Sequence, residues 1–323
     1  MKQTMDKPKA SPTRQTVWTH KDLLGLEELS AREIELILDE ARIAKEDFLA
    51  GRPRADLKDQ TLAFVFTEPS TRTRSSFEVA ARRLGAEVLG FSVANSSLLK
   101  GETLVDTILN LDAMGVRYFV LRHEVSGAVQ QAAAAVKSHV LNAGDGAHEH
   151  PTQALLDIFT LREKKGRIAG LRVVIVGDIL HSRVARSNIW GLQKLKAKVT
   201  VCGPASLIPH GIESMGVTVS HDLVRALKDA DAVNILRLQQ ERMKENHIPS
   251  LAEYYDTFGL TEKALAFARE DCLVLHPGPM NRGVEIASSV ADGPRSVILE
   301  QVTNGVAVRM AALSLLSKAG GQS

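Results

Sequence analysis

The feature that most constrains the fold is an alternation of short apolar runs with helical patterns along both halves of the chain. In the first half the runs TLAFVF, AEVLGFS, RYFVL and HVLN occupy residues 61–66, 86–92, 117–121 and 139–142. In the second half, strand candidates occupy residues 172–177, 198–203, 217–220, 232–236 and 272–276. Continuous apolar strands separated by helices are typical of parallel sheets covered on both faces. The pattern therefore predicts an α/β protein with two domains, each a parallel sheet flanked by helices.

A helical pattern at residues 152–164 lies between the two groups of strands and ends at a Lys-Gly pair, a common helix C-cap. A chain of 323 residues is long enough for two hydrophobic cores. We expect residues 1–150 to form one domain and residues 151–303 to form the other, joined by interdomain helices. The last helical pattern is apolar on much of its surface, so residues 304–323 are predicted to pack back against the first domain.

Composition argues against several classes of function. The chain carries 40 Lys and Arg against 38 Asp and Glu, and aromatic residues make up only 4% of it. We therefore expect no nucleic-acid or membrane partner. Cys202 and Cys272 lie in apolar runs, which predicts buried thiols in a reducing, cytoplasmic setting. No apolar stretch approaches the roughly 18 residues of a membrane span, and no signal-peptide pattern is seen. The chain has no HExxH or CxxC motif, so we expect neither a metal nor a cofactor.

Residues 67–77 read TEPSTRTRSSF and follow directly after the first strand candidate. Apolar residues then recur at helical spacing, and Ser70 stands where an N-cap belongs. The first turn of a helix has unpaired backbone N–H groups and the positive end of the dipole, and here it also carries hydroxyls and guanidiniums. This combination suits a phosphate dianion. A capped helix with a solvated basic end would explain Ser70 and one arginine, but not the whole run Ser70, Thr71, Arg72, Thr73 and Arg74.

Residue types that bind ligands follow five of the strand candidates. These segments are 67–74, 122–123, 178–183, 237–239 and 276–279. In open α/β sheets, ligands bind at the carboxyl ends of the strands. We therefore expect the five segments to meet in one cleft between the two domains.

Four motifs carry a family resemblance, and they occur in order along nearly the whole chain, about residues 17–319. They are PSTRTR (69–74), KGE (100–102), HPTQALLD (150–157), and HPGP followed by RGVEI (276–286). Together they resemble the aspartate/ornithine carbamoyltransferase family. Ornithine-type members usually carry HPCQ and HCLP where this chain has HPTQ and HPGP, so the resemblance is to the aspartate type.

The resemblance implies transfer of the carbamoyl group of carbamoyl phosphate to the amine of L-aspartate. The products would be N-carbamoyl-L-aspartate and phosphate, in de novo pyrimidine biosynthesis, with no cofactor. It also implies a homotrimer in which neighbouring subunits share active sites. A regulatory or dihydroorotase-type partner is left open.

The resemblance also assigns roles to individual positions. The expected carbamoyl-phosphate ligands are Ser70, Thr71, Arg72, Thr73, Arg122, His150, Gln153, Gly278 and Pro279. Among these, the expected catalytic residues are Arg72, Thr73, Arg122 and His150. The expected aspartate ligands are Lys100, Arg183, Arg237 and Gln239, with Lys100 supplied by the neighbouring subunit.

Each assignment has an ordinary structural alternative. His150 could be a helix-capping or surface histidine, and Arg122 and Lys100 could be solvated charges. Taken singly, Arg183 and Arg237 are more often structural. The HPGP run could be only a rigid turn, and Glu68 could either orient the arginines by ion pairing or be a solvated loop charge.

Three other functions remain as alternatives. A nicotinamide-dependent oxidoreductase would use RVVIVGD as the start of a Rossmann unit, but Gly177 is followed by DILHSR, and both GxGxxG and the later acidic residue are missing. A non-catalytic phosphate-binding relative would not need a competent residue type at every expected catalytic position. A carbamoyltransferase for ornithine would place a cationic side chain opposite Arg237 and Lys100.

Overall fold

The computed structural model describes residues 17–90, 101–239 and 250–320. The elements of the first half are α1 (Ala31–Leu49), β1 (Thr61–Phe66), α2 (Thr71–Arg83), β2 (Glu87–Leu89), α3 (Leu104–Ala113), β3 (Tyr118–His123), α4 (Ala128–Ala135), β4 (His139–Asp145) and α5 (Pro151–Lys165). Those of the second half are β5 (Arg172–Val176), α6 (Arg183–Lys194), β6 (Lys198–Cys202), β7 (Thr218–Ser220), α7 (Leu223–Leu227), β8 (Ala232–Ile235), α8 (Leu251–Phe258), α9 (Glu262–Leu265), β9 (Leu273–Leu275), α10 (Ser288–Ala291) and α11 (Ile298–Gly320).

The strands form two parallel sheets, so the predicted fold class is confirmed. The first sheet has the order β2-β1-β3-β4 and the second β7-β6-β5-β8-β9. In each sheet the chain starts inside and winds first to one edge and then to the other. The strand order therefore reverses between β1 and β3, and again between β5 and β8. Loops that leave the sheet on either side of such a point diverge and open a crevice.

The helices cover the sheets with apolar faces. Helix α1 begins with the predicted capping box, in which Ser30 and Glu33 each bond to the other's backbone N–H. Helix α5 is buried at every position from Pro151 to Leu161, which explains why its sequence lacks a clear polar face. Helix α11 packs most extensively on α1 and also on α5 and α2, all in the first half of the chain.

Several element bounds differ from the sequence prediction, among them those of β4, α11 and β2. Strand β4 continues past residue 142 to Asp145. The prediction stopped early because Ala143 and its neighbours, although buried, are too small or too polar to give an apolar signal in the sequence. Helix α11 begins at Ile298, six residues before the predicted start. The prediction missed its first turns because their apolar residues Leu299 and Val302 are exposed and do not follow the helical apolar period. Strand β2 covers only Glu87–Leu89 of the predicted 86–92, of which 91 and 92 lie outside the described residues.

Both cysteines are buried thiols. Among the described helices, none combines the length and the apolar character that a bilayer crossing requires.

Candidate active site

A cleft of about 1280 Å³ lies between the two sheets. Its walls are the loops after β1, β3, β5, β8 and β9, together with the beginnings of α2, α5, α6 and α11. All of the predicted site residues that the structure describes line this one cleft: Ser70, Thr71, Arg72, Thr73, Arg122, His150, Gln153, Arg183, Arg237, Gln239, Gly278 and Pro279. Lys100 lies outside the described residues.

The cleft lies at the switch points of both sheets. Segment 67–73 follows β1 at this edge. Arg122 was expected just after its strand, but β3 continues to His123, so Arg122 is the last residue but one of β3. The loops after β5 and β8 carry Arg183 and Arg237 from the opposite side. The strand order thus explains why polar residues far apart in the chain face each other.

The beginning of α2 forms one wall of the cleft. Ser70 is the N-cap residue with extended backbone angles (φ −160°, ψ 92°), yet its side chain makes no capping bond with the described residues. The hydroxyl and the first-turn N–H groups are therefore available to a ligand. Thr73, one turn along, is buried against the same wall.

Arg72 contacts the HPGP turn and experiences the charge of a second arginine. Gly278 has φ +64°, and a Cβ placed there would lie 3.1 Å from Cζ of Arg72. Burial lowers the pKa of the Arg72 guanidinium, and the nearby positive charge of Arg237 lowers it further. Two cations from opposite walls converge here, which is a favourable place for an anion.

Glu68 links the two walls. Its Oε2 accepts a hydrogen bond from Nε of Arg122 at 3.1 Å and from Nη2 of Arg183 at 2.5 Å. The ion-pairing interpretation of Glu68 is therefore confirmed. Arg183 is only 5% exposed, and its side chain passes so close to Gly144 that a Cβ there would lie 2.6 Å from Nε.

His150 is buried, and its side chain makes no capping bond to α5. It occupies the N-cap position of that helix and is 4% exposed. Its backbone N–H donates to Oγ of Ser187 at 2.8 Å. Burial lowers the pKa of His150 well below its usual value, and the charges of Arg122, Arg183 and Arg309 lower it further. The imidazole is therefore neutral at physiological pH.

A buried hydrogen-bond cluster lies behind the cleft. Asp157, one turn after Gln153 on α5, accepts from Nε2 of Gln153 at 3.0 Å and from Nε2 of Gln301 at 2.7 Å. It also accepts from Nδ2 of Asn188 at 2.8 Å and from Nδ2 of Asn234 at 3.0 Å. The cluster joins α5, α6, β8 and α11.

The HPGP turn is supported from behind by two buried side chains. The N–H of Gly278 donates to Nδ1 of His276 at 2.8 Å, so the ring proton of His276 is on Nε2, which lies 3.2 Å from Oε1 of Glu285. The Gly278–Pro279 peptide bond is cis. These contacts fix the direction in which the backbone carbonyls of the turn point.

The loops after β5 and β8 are tied to each other. Nε2 of Gln239 donates to the carbonyl of His181 at 3.0 Å, and the His181 ring contacts Asp178. Ser182 caps α6 through the N–H of Ala185, which fixes Arg183 as the first residue of that helix. The contact with the His181 carbonyl fixes the position of the Gln239 carboxamide.

Sequence reasoning did not find Arg309. This residue of α11 is 3% exposed, lines the cleft, and lies over the ring of Phe77 with Cζ 5.0 Å from the ring centroid. Burial lowers its pKa to about 10, partly offset by the charge of Asp157. The signal in the sequence was a single arginine in the apolar run VAVRMAALSLL. Burying a charged side chain is energetically costly, so an arginine in such a run indicates a buried partner or a functional role.

Within the described ranges, no group of three or more His, Cys, Asp or Glu side chains could hold a metal ion. The expected site residues that line the cleft carry hydroxyls, amides, guanidiniums and the imidazole of His150. These groups can bind anions and stabilise negative charge that develops on a substrate oxygen.

A basic cleft at the switch points of two parallel sheets defines a two-domain α/β enzyme that acts on anionic substrates. The chain belongs to the aspartate/ornithine carbamoyltransferase family, as the sequence motifs predicted. Its carbamoyl-P binding domain model matches residues 21–163, and its Asp/Orn binding domain model matches residues 169–316.

Several relatives are similar over almost the whole chain. An aspartate carbamoyltransferase catalytic subunit from Gemmatimonas aurantiaca is 58% identical over 94% of this chain and 94% of its own. One from Desulforamulus reducens is 56% identical over 93% of this chain and 96% of its own. Among solved structures, Trypanosoma cruzi aspartate transcarbamoylase in complex with carbamoyl phosphate and aspartate has a TM-score of 0.84 at 30% identity, covering 93% and 99%. Pyrococcus furiosus ornithine carbamoyltransferase has a TM-score of 0.84 at 32% identity, covering 95% and 100%.

Proposed function

We propose that this chain transfers the carbamoyl group of carbamoyl phosphate to the amino group of L-aspartate. The products are N-carbamoyl-L-aspartate and phosphate. The main observation behind the proposal is that a single cleft contains two groups of cationic and hydroxyl side chains. The beginning of α2, residues 70–73, lies on one wall, and Arg183 and Arg237 lie on the opposite wall. The names of the relatives and the substrates in the Trypanosoma cruzi complex support the same reaction.

The phosphate of carbamoyl phosphate binds at the beginning of α2. Its oxygens accept from the first-turn N–H groups, from the hydroxyls of Ser70, Thr71 and Thr73, and from the Arg72 guanidinium. Arg122, held by Glu68, reaches both the phosphate and the adjacent carbonyl. The leaving group is therefore bound as a dianion before the reaction begins.

The carbonyl oxygen is polarised by donors from three directions. When the aspartate nitrogen attacks the carbonyl carbon, negative charge develops on this oxygen, and Thr73, Arg122 and His150 stabilise it. His150 donates as a neutral imidazole. Loss of one such donor typically costs about 10²–10³ in rate.

The proton of the attacking amine goes to the departing phosphate. Collapse of the tetrahedral intermediate breaks the bond between carbon and the phosphate oxygen, and that oxygen is basic enough to take the proton. His150 is a poor proton acceptor, because burial and three nearby arginines disfavour its charged form. Its role is therefore to donate a hydrogen bond.

Aspartate binds on the opposite wall. Arg183 and Arg237 bind its two carboxylates, with Gln239 beside them and Lys100 as a further cation from the neighbouring subunit. Binding of anions also relieves the repulsion between Arg72 and Arg237. An ornithine side chain would add a positive charge to this region, so aspartate is the better substrate.

Family membership supports further proposals about organisation. Residues 1–150 with 304–323 form the carbamoyl-phosphate domain, and residues 151–303 form the aspartate domain. The chain assembles as a homotrimer with shared sites, acts in the cytoplasm and serves pyrimidine biosynthesis. A regulatory or dihydroorotase-type partner would join this trimer.

A two-substrate assay tests the proposed function. Purified protein is given carbamoyl phosphate with either aspartate or ornithine, and phosphate release is measured. We expect rapid release with aspartate and background release with ornithine. Release with ornithine alone would establish the alternative acceptor, and no release with either would refute the proposal.

A further inference from the structure

We propose that Asp157 is a positioning residue that selects a carbamoyl group by orienting the hydrogen-bond acceptors that face its nitrogen. It acts directly on the carboxamide of Gln153 and, through Gln301, on the HPGP turn. The inference rests on the proposed function, since it takes the cleft as a site for carbamoyl phosphate.

Asp157 does not touch the cleft itself. It is 1% exposed, and its side chain is absent from the described lining of the cleft, whereas Gln153 and Gln301 belong to that lining. Each carboxylate oxygen accepts two amide N–H groups, Oδ1 from the two glutamines and Oδ2 from Asn188 and Asn234. Four donors saturate the acceptor sites of a carboxylate, so the orientation of each donor is determined.

The orientation of Gln153 follows from the chemistry of its partner. An ionised carboxylate only accepts hydrogen bonds, so the carboxamide of Gln153 must turn its nitrogen toward Asp157. Its oxygen then points away from Asp157, on the cleft side. Gln153 therefore presents an acceptor to a ligand, and that acceptor matches the N–H of a carbamoyl group.

Gln301 extends the same control to the HPGP turn. Its Nε2 is bound to Asp157, and its Oε1 accepts from the backbone N–H of His276 at 3.0 Å. His276 is the first residue of the turn, and its ring in turn accepts from Gly278. The backbone carbonyls that follow are acceptors too. Hydrogen bonds therefore link Asp157 to both sets of acceptors proposed to face the carbamoyl nitrogen, the carboxamide oxygen of Gln153 and the backbone carbonyls of the HPGP turn.

An acceptor pair of this kind discriminates between acyl phosphates. A carbamoyl group has two N–H donors beside its carbonyl, whereas an acetyl group has a methyl group of similar size. When acetyl phosphate binds, its methyl group cannot donate to these partly buried acceptors, and leaving them without a partner weakens binding of that ligand. Asp157 also carries a charge that Arg309, itself buried, partly balances.

The test compares carbamoyl phosphate with acetyl phosphate, an acyl phosphate that lacks the N–H groups. The measured quantity is the Ki of acetyl phosphate, as a competitor of carbamoyl phosphate, divided by the KM of carbamoyl phosphate. Asp157→Asn replaces an acceptor by a donor, so at least one amide must turn round. We expect this ratio to fall about 10- to 100-fold, chiefly through a higher KM for carbamoyl phosphate.

Thr160→Val is the matched control, because Thr160 lies one turn further along α5 and bonds to Leu156 and Asn304 rather than to the cluster. It should leave the ratio unchanged. The inhibition constant of inorganic phosphate should also be unchanged in Asp157→Asn, since the phosphate wall does not contact Asp157.

The outcomes separate the inference from the proposed function. Equal weakening of both acyl phosphates by Asp157→Asn, or no change in the ratio, would overturn the positioning role. If Asp157→Asn does not fold, Gln301→Met provides a second test, because it leaves the contact between Gln153 and Asp157 and removes only the link to the turn. Gln301→Met should lower the ratio by a smaller factor. An unchanged ratio in this variant would again overturn the inference. Failure of the unmodified enzyme to use carbamoyl phosphate would instead refute the proposed function.

Discussion

The carboxylate of Glu68 accepts from Nη2 of Arg183 at 2.5 Å, across the cleft between the two sheets. Glu68 follows β1 in the first half of the chain, and Arg183 opens α6 in the second. The same oxygen accepts from Arg122. One carboxylate therefore sets the positions of a cation proposed for phosphate and a cation proposed for aspartate.

Glu68→Gln should impair aspartate binding more than carbamoyl-phosphate binding. The amide keeps the size of the side chain but loses the charge that holds both arginines. Each arginine also has a 3.4 Å contact to a backbone carbonyl, Arg122 at Ala143 and Arg183 at Gly146. The Glu68 contact is shorter to Arg183 (2.5 Å) than to Arg122 (3.1 Å), so Arg183 loses more. We expect the KM for aspartate to rise about tenfold, since hydrogen bonds to charged groups contribute about 1.5–3 kcal/mol. Glu78→Gln removes a comparable surface pair with Arg82 and should change neither constant. Steady-state kinetics with each substrate varied will decide; a selective rise for carbamoyl phosphate would contradict the site map.

Gly144→Ala should displace Arg183. Gly144 has φ +116°, and an added Cβ would lie 2.6 Å from Nε of Arg183, closer than real contacts allow. The backbone strain alone is expected to cost about 1–2 kcal/mol in unfolding free energy. Gly115→Ala is the matched control, because its φ is +91° and no described atom lies within 4 Å of the new Cβ. Both variants should lose stability in urea, but only Gly144→Ala should raise the KM for aspartate. A normal KM in Gly144→Ala would show that the position of Arg183 is unimportant.

His150 should make the protein less stable as the pH falls. Its pKa is lowered in the folded state, so below about pH 6.5 the unfolded chain binds a proton that the folded chain does not. Each pH unit below that value should cost up to about 1.4 kcal/mol of unfolding free energy. His150→Gln should remove this part of the pH dependence, measured by urea unfolding between pH 5 and 7.5.

His148 provides the opposite case for comparison. Asp145 raises the pKa of His148, so this histidine stabilises the folded state below its unfolded pKa and loses that contribution as the pH rises through the folded value. His148→Gln should therefore steepen the loss of stability at low pH. Identical profiles for the two variants would show that the charges around His150 do not act as described.

Hybrid trimers test whether neighbouring subunits share a site. Lys100→Ala and Arg72→Ala chains should each be nearly inactive alone. In a mixed trimer, some sites would combine an intact Lys100 from one subunit with an intact Arg72 from another, and part of the activity should return. Phosphate release before and after mixing measures this, with each variant unfolded and refolded alone as the control. Hybrids that remain inactive would argue against shared sites.

Local features of the site were predictable from the sequence because the causes are local. The beginning of α2 depends on a polar N-cap residue, a helical period and the residue types of one turn, all within residues 67–77. The capping box of α1 is likewise encoded within four residues. The parallel sheets follow from apolar runs whose spacing permits a helix between each pair.

Two parts of the site were not predictable in this way. Asp157 has the same local sequence signal as a solvated acidic residue on a helix. Only its donor Gln153 is nearby on α5, whereas the other three donors come from α6, β8 and α11, at 31, 77 and 144 residues' distance in sequence. Arg309 stands out in the sequence only as a lone arginine in an apolar run, and that signal does not show that it lies over Phe77 at the cleft.

The sequence by itself determined the element types, the parallel sheets, the family and the anion-binding turn, since periodicity, capping and motif order are properties of short segments. Only the tertiary structure decided which distant groups meet: Glu68 with Arg122 and Arg183, and Asp157 with its amide donors from α6, β8 and α11. The physical reason is that pairing and burial energies depend on distances across the fold, and no single segment contains both partners.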